Sequence, residues 1–235
     1  MHRYMKIYSL LTLAATAALI TSASAATVQI AGWSMKSSVA AGTTGSNYTH
    51  GAADLGALTS STSLSCYHAV AATTWSSPGG NGSTYSLSSN NWTSGDYFQV
   101  SMATTGYSDI SVSWDQTRSS TGPSSFSLSM STDGGANFTT LLATYTVVQG
   151  GFAGSGTTTW NSVTNQTGFT NTTDLGISAA NQGNILLRFN SLATTAAAGT
   201  NRIDNISVTS AVVPEPSAAL LGALGALGLL RRRRN

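Results

Sequence analysis

Charged side chains are scarce in this 235-residue chain, because lysine, arginine, aspartate and glutamate together make up only 8% of it. An average soluble domain carries about 25%. Between Ala26 and Val213, four basic residues stand against seven aspartates, which gives this body a net charge of −3. The body therefore has no basic patch with which to neutralise phosphates, and we expect no nucleic-acid partner.

Side chains for acid–base or metal chemistry are also few. Glu215 is the only glutamate, and His50 and His68 are the only histidines of the body. Neither an HExxH metal motif nor a Gly-x-Ser-x-Gly nucleophile turn occurs. We therefore predict a protein that is not an enzyme and has no metal or cofactor. The alternative, a secreted hydrolase, needs a Ser-His-Asp triad or two paired carboxylates. The aspartates that could supply such carboxylates are Asp96, Asp109, Asp115, Asp133, Asp174 and Asp204.

Cysteine occurs once, at Cys66, so a disulfide within the chain is impossible. Unpaired cysteines are most often small buried residues, and we predict that role for Cys66. The alternatives are an intermolecular disulfide or a reactive thiol.

Residues 1–25 have the features of a signal peptide. Arg3 and Lys6 form a basic start, and a mostly apolar stretch of 14 residues follows from Ile7 to Ile20. Ala23 and Ala25 then supply a small-x-small cleavage site. We predict export with cleavage after Ala25; the alternative is an uncleaved anchor.

The C-terminal residues 212–235 contain a second apolar run, Ser217 to Leu230, followed by four arginines. A helix of 14 residues is about 21 Å long, shorter than a hydrocarbon core of about 30 Å. Thinning of the bilayer can accommodate this difference. We predict a short transmembrane helix with the arginines in the cytoplasm and the body outside.

The order Pro-Glu-Pro, apolar run and arginine cluster resembles a PEP-CTERM sorting signal. The resemblance implies a Gram-negative bacterium that makes exopolysaccharide or biofilm matrix. It also implies an exosortase as partner, which cuts near Pro-Glu-Pro while the chain is held in the inner membrane, so that the body reaches the cell surface or medium. A plain tail anchor is the alternative. The sorting residues that the resemblance assigns are Pro214, Glu215, Pro216, Arg231, Arg232, Arg233 and Arg234.

The body, residues 26–211, alternates apolar and polar residues in several short stretches. In "SDISVSWDQT", for example, Ile110, Val112 and Trp114 face one way while Ser111, Ser113 and Asp115 face water. Turn sequences rich in glycine and proline separate these stretches. We predict an all-β, antiparallel two-sheet sandwich of jelly-roll type. The stretch from Asp96 to Val148 and the closing "RIDNISVTS" also resemble jelly-roll domains of PEP-CTERM proteins. The segment from Ser37 to Ser63 is predicted to be a long loop with at most one short strand.

The sequence "STDGGANF", Ser131 to Phe138, resembles the Asp-box of sialidase-like propellers. In that motif the aspartate accepts backbone hydrogen bonds and the glycine has a positive φ. We therefore predict a structural hairpin turn at Asp133 and Gly135. Calcium binding at Asp133 is the alternative, although no second carboxylate lies nearby in sequence.

Tryptophan could provide flat contacts for sugars. Trp92 and Trp160 lie in polar surroundings and are the candidates for sugar contact, whereas Trp114 is expected in the core. The alternative is that every tryptophan serves packing.

The main functional hypothesis is an exported structural or adhesive protein of the cell surface or matrix. The alternatives are a carbohydrate-binding module for exopolysaccharide and, with less support, a secreted hydrolase.

Overall fold

The computed structural model describes residues 27–150, 159–212 and 222, so the predicted signal peptide and sorting motif lie outside the described residues. The described chain is built of short strands and two single-turn 3₁₀ helices at Thr167–Phe169 and Ile177–Ala179. The strands are β1 (Thr27–Trp33), β2 (Asn47–Gly51), β3 (Ser63–Tyr67), β4 (Trp75–Ser76), β5 (Leu87–Ser89), β6 (Tyr97–Met102), β7 (Tyr107–Arg118), β8 (Ser125–Ser131), β9 (Thr139–Thr146), β10 (Thr170–Asp174), β11 (Ile185–Ser191) and β12 (Asn201–Val212).

These strands form two six-stranded antiparallel sheets. The first sheet has the order β10-β7-β12-β5-β4, with β1 also paired to β12. The second sheet has the order β2-β3-β6-β11-β8-β9. From β5 onward, consecutive strands change sheet at every connection except β8 to β9. The predicted all-β class with two antiparallel sheets is confirmed.

The apolar rows predicted from the alternating patterns form the core between the sheets. Trp114 of the first sheet and Phe98 and Leu187 of the second are fully buried in one continuous cluster. Burial of such a continuous apolar layer is the main stabilising contribution in a β-sandwich. The predicted core position of Trp114 is therefore confirmed.

Asp115 departs from the simple alternation. The sequence pattern predicts it to face water, and this prediction is wrong, because its side chain is 2% exposed. Asn81, which precedes β5, and Asn165, which precedes the first 3₁₀ helix, donate side-chain hydrogen bonds to Asp115 Oδ2 over 3.0 and 2.9 Å. These residues cover part of the outer face of the first sheet, and they are too far from Asp115 in sequence for the strand pattern to reveal it.

Two further expectations concern single segments. The segment from Ser37 to Ser63 contains β2, a five-residue strand at the edge of the second sheet. Cys66 on β3 is buried, as predicted, and burial raises the pKa of its thiol well above the usual value.

Among the described residues, no helix has the length and apolar character needed to cross a membrane.

Candidate functional site

The five tryptophans differ sharply in exposure. Trp92 is 0% exposed, so the prediction that it contacts sugar from an exposed position is wrong. Its ring packs edge-on against Phe98 and Phe126, and its indole N–H donates to the backbone oxygen of Ser89 over 3.0 Å. Trp33, Trp75 and Trp114 are also fully buried. Trp160 is partly exposed and is the tryptophan that a ligand could reach.

The hairpin between β8 and β9 is held by Asp133. Its Oδ1 accepts hydrogen bonds from the Ser131 hydroxyl at 2.7 Å and from the Asn137 backbone N–H at 3.0 Å. These hydrogen bonds lower the pKa of the Asp133 carboxyl. Gly135 has φ +96°, and a Cβ atom there would lie 3.2 Å from Leu186 Cδ1. The tight turn thus brings Phe138 back over the outer face of the second sheet.

Aromatic side chains form a row across that outer face. Tyr67 and Tyr97 are direct cross-strand partners, and their rings stack with centroids 5.5 Å apart. The guanidinium carbon of Arg188 lies 4.2 Å from the centroid of Tyr97 and 4.1 Å from that of Phe138. We call Tyr67, Tyr97, Arg188 and Phe138 the aromatic platform. Tyr67 is 38% exposed, so the end of the row is open to solvent.

Polar groups surround the aromatic platform. Gln99 Oε1 accepts a hydrogen bond from Arg188 Nε over 2.7 Å, and Asn190 Nδ2 donates to Ser129 Oγ over 3.1 Å. The platform extends from β3 across β6 and β11 toward β8, three strand spacings or about 14 Å. Arg188 has cation–π contacts with both Tyr97 and Phe138, which fix its side chain in the row. The result is an extended, preformed row of stacked rings and a guanidinium, with the exposed ring of Tyr67 at its end and hydrogen-bonding groups beside it.

The two residues predicted to contact sugar were both tryptophans, so this surface, which is built on tyrosines, was not predicted. The signal was present in the outward positions of two predicted strands: "YFQVSMA" places Tyr97 and Gln99 outside, and "NILLRFN" places Arg188 and Asn190 outside. The register that sets Tyr67 opposite Tyr97 was not accessible from these patterns, since it depends on pairing between distant strands.

One buried cluster has the composition of a catalytic triad. Ser89 Oγ lies 3.1 Å from His68 Nε2, and His68 Nδ1 lies 3.3 Å from Asp96 Oδ2. The second pair is not aligned as a hydrogen bond. All three side chains are at most 1% exposed, and burial lowers the pKa of His68. A nucleophile must reach its substrate, so this cluster is a packing arrangement rather than an accessible reaction site.

Asp96 and the imidazole of His68 have structural partners instead. Asp96 accepts backbone hydrogen bonds from Ala69 at 2.8 Å and Thr93 at 2.6 Å. The imidazole packs against Trp75 and Trp92, with centroid distances of 4.9 and 4.2 Å. These contacts tie β3, β4 and β5 together at one end of the sandwich.

Two aspartates converge where β7 pairs with β12. Asp115 and Asp204 are direct cross-strand partners, and Asp204 is 0% exposed. Asp204 Oδ2 accepts hydrogen bonds from the backbone N–H of Asn81 at 2.7 Å and from the hydroxyl of Ser83 at 2.5 Å. Burial raises the pKa of Asp204 to about 7. The covering loops leave no access for a glycosidic bond, which hydrolysis by paired carboxylates requires.

Metal ligands are not concentrated in the described part of the chain. Within residues 27–150 and 159–212, no group of three or more histidine, cysteine, aspartate or glutamate side chains is placed to hold an ion. Asp133, the predicted alternative calcium ligand, has its carboxylate engaged by Ser131 and Asn137.

Comparison with known proteins yields distant structural similarities. No family model and no curated protein matches the chain. The K1 cleaved adhesin domain of Lys-gingipain from Porphyromonas gingivalis W83 is 16% identical over 78% of this chain and 97% of that one, with a TM-score of 0.42. The CBM35 module from Cellvibrio japonicus Abf62 is 17% identical over 80% and 97%, with a TM-score of 0.37. At these identities and TM-scores, the similarities carry no functional information.

Proposed function

We propose that this chain is an exported, non-enzymatic carbohydrate-binding protein whose ligand is an exopolysaccharide of its bacterial host. The observation that supports this most directly is the aromatic platform on the outer face of the second sheet. The body belongs, in this proposal, to the jelly-roll type of β-sandwich, since consecutive strands alternate between the sheets.

The platform suits a weakly charged polysaccharide chain. Sugar rings present flat C–H faces that pack on aromatic rings, and their hydroxyl groups need hydrogen-bonding partners at the edge. Tyr67 provides the exposed ring, Tyr97 is stacked behind it and supports it, and Gln99 and Asn190 provide amides on the same face. The stacked and hydrogen-bonded side chains are preorganised, which reduces the entropy lost on binding.

Catalysis is not part of the proposal. Among residues 27–150 and 159–212, the Ser89–His68–Asp96 cluster and the Asp115–Asp204 pair have suitable chemistry, and both are covered by protein. A binding role needs only an exposed, rigid surface, which the second sheet provides.

The delivery of this binding body to the cell surface rests on the chain termini. We propose that residues 1–25 direct export and that residues 212–235 are a PEP-CTERM signal cut by an exosortase near Pro214, Glu215 and Pro216. Retention of a polysaccharide-binding body in a surface matrix would give it an adhesive or structural role.

Binding to exopolysaccharide purified from the host tests the proposal. Wild-type protein is compared with Tyr97→Ala and Tyr67→Ala by affinity electrophoresis through gels that contain the polysaccharide. We expect each alanine variant to bind about tenfold more weakly or worse, because Tyr67→Ala removes the exposed ring and Tyr97→Ala removes the ring that supports it. Tyr97→Phe and Tyr67→Phe are the matched controls, since they keep the ring and should retain most of the affinity. Equal retardation of wild type and both alanine variants would refute the platform as the binding surface.

Sorting requires a separate test. Intact mass is measured on the protein from host cells and from a strain that lacks exosortase. We expect a species that begins near Ala26 and ends near Pro214 only when exosortase is present. A mass that still includes Arg231–Arg234 in both strains would identify an ordinary tail anchor.

A further inference from the structure

The second sheet carries a single permanent charge, and that charge belongs to the aromatic platform. Its six strands contain no lysine, aspartate or glutamate, and Arg188 is their only arginine. Arg188 lies on β11, one of the two central strands, and faces outward with the rings of the platform. A charge that is partly removed from water is unfavourable unless an opposite charge compensates it. The surroundings of the guanidinium group therefore indicate what kind of ligand it suits.

Three neighbours hold the guanidinium group of Arg188 in place. Its carbon lies 4.2 Å from the ring centroid of Tyr97 and 4.1 Å from that of Phe138. Its Nε donates a hydrogen bond to Gln99 Oε1 over 2.7 Å. All three neighbours are uncharged, so they fix the position of the group without neutralising it. A guanidinium fixed in this way loses little conformational freedom when a ligand binds.

The two terminal nitrogens of Arg188 face solvent. Among the described residues, the hydrogen bond that this side chain donates is the one from Nε. Nη1 and Nη2 have no protein acceptor there, and neither is one of the buried polar atoms that lack a partner. Since Nε is engaged by Gln99, the edge formed by Nη1 and Nη2 is open to a ligand. The N–H groups of this edge match the two oxygens of a carboxylate.

The charge of Arg188 has no acidic partner within the described part of the chain. The ion pairs found there join Lys36 to Asp54 and His68 to Asp96. Asp133 lies in the hairpin that carries Phe138, but its carboxylate accepts hydrogen bonds from within that hairpin. An anionic ligand would supply the missing counter-charge.

The exposed ring of the platform lies close to this guanidinium. Tyr97 stacks on Tyr67 on one side, with centroids 5.5 Å apart, and contacts Arg188 on the other. Tyr67 is 38% exposed. An oligosaccharide that crosses Tyr97 therefore meets both an apolar ring and an unpaired positive charge.

We propose that Arg188 binds the carboxylate of a uronate unit of the polysaccharide while Tyr67 packs on a neighbouring unit. This inference rests on the proposed function, and it names the class of polysaccharide that the platform selects. Nη1 and Nη2 donate two charge-assisted hydrogen bonds to the carboxylate. A nucleic acid is disfavoured, because the net charge of −3 on the body repels a chain with a charge at every phosphate.

Calorimetric titration of the full-length chain in detergent tests this inference. The ligands are oligosaccharides cut from the host exopolysaccharide, used as isolated and after chemical reduction of their carboxyl groups to alcohols. We expect wild type to bind the acidic form about tenfold more tightly than the reduced form, as for hydrogen bonds to a charged group. Added salt should weaken binding of the acidic form and leave that of the reduced form nearly unchanged.

Arg188→Gln should bind the acidic and the reduced form with equal affinity, because it lacks the charge. The preference is compared within each variant, so a general weakening of the platform does not affect the result. Arg188→Lys should keep part of the preference, since it retains a charge without the paired N–H groups. Lys36→Gln is the matched control, because it removes an exposed positive charge elsewhere and should keep the full preference.

Three results would overturn the role of Arg188. These are equal affinity of wild type for the two forms, an unchanged preference in Arg188→Gln, and an equal loss of preference in Lys36→Gln, which would reveal an effect of net charge alone. A host polysaccharide without carboxylated sugars would also overturn it.

The role of Arg188 and the proposed function can fail separately. Tyr67→Ala should weaken binding of both forms by a similar factor and keep the preference for the acidic one. If wild type binds both forms equally and Tyr67→Ala weakens both, the platform binds polysaccharide but does not select uronate. If wild type binds neither form, both proposals are refuted.

Discussion

Asp204 makes the stability of this protein depend on pH in an unusual direction. The carboxyl is buried at the β7–β12 pair beside Asp115, and burial raises its pKa from 3.8 to about 7. A carboxyl with a raised pKa in the folded state favours folding in its protonated form. Its contribution to the free energy of unfolding is fully present below about pH 4 and is lost as the pH rises through about 7.

The size of the effect follows from the shift. One pKa unit corresponds to about 1.4 kcal/mol of free energy. The difference between 3.8 and about 7 therefore corresponds to a loss on the order of 4 kcal/mol in the free energy of unfolding between about pH 4 and pH 8. This is a large part of the 5–15 kcal/mol, approximately, that stabilises a typical domain.

The effect can be isolated with Asp204→Asn. Urea unfolding of both proteins is followed by tryptophan fluorescence from pH 4 to pH 8. The buffer contains a chelator, so that metal ions cannot bind the carboxylate and only its protonation changes with pH. We expect wild type to lose stability relative to the variant by about 4 kcal/mol across this range. Burial lowers the pKa of His50 and His68, whose contributions are lost as the pH falls below about 6.5, but both histidines are present in each protein and cancel in the difference.

Asp109→Asn provides the control, because it removes a carboxylate from an exposed position. This variant should keep the pH dependence of wild type. A constant difference between wild type and Asp204→Asn at every pH would refute the conclusion that the Asp204 carboxyl is held protonated by burial.

Three further predictions concern other parts of the sandwich. Trp92→Ala should lower the free energy of unfolding by about 3–5 kcal/mol in urea denaturation, because it leaves a large cavity between Phe98 and Phe126; a loss below about 1 kcal/mol would contradict its central packing. Gly135→Ala should lower the free energy of unfolding by about 1–3 kcal/mol, because its φ is positive and the added Cβ would press on Leu186. Gly134→Asn should lower it less in the same assay, because there is open space around Gly134 and asparagine tolerates its φ of +76°. The Cys66 thiol, 3% exposed, should react with a thiol reagent only after unfolding, and rapid labelling of native protein would show that it is accessible.

Much of the architecture could be predicted from residue alternation. In β7 the alternation of Ile110, Val112 and Trp114 with polar residues has a period of two, which only a half-buried strand satisfies. The local turn at Asp133 was predictable for a similar reason, because its hydrogen bonds involve residues within four positions.

The wrong predictions for Trp92 and Asp115 share a physical cause. Trp92 stands among polar residues in sequence, yet His68, Phe98 and Phe126 enclose it. Asp115 occupies an outward strand position that residues distant in sequence cover. The burial of these two side chains depends on residues that are distant in sequence, not on the adjacent ones. The aromatic platform also depends on register between strands far apart in sequence, together with a hairpin that brings Phe138 to Arg188.

The most direct test of the proposed function is a crystal structure of the protein with oligosaccharides cut from the host exopolysaccharide. We expect a sugar ring to lie against the exposed ring of Tyr67, with hydroxyl groups of the oligosaccharide within hydrogen-bond distance of Gln99 or Asn190. Sugar bound only elsewhere, or a free aromatic platform at saturating ligand, would contradict the proposal that this face of the second sheet is the polysaccharide-binding surface.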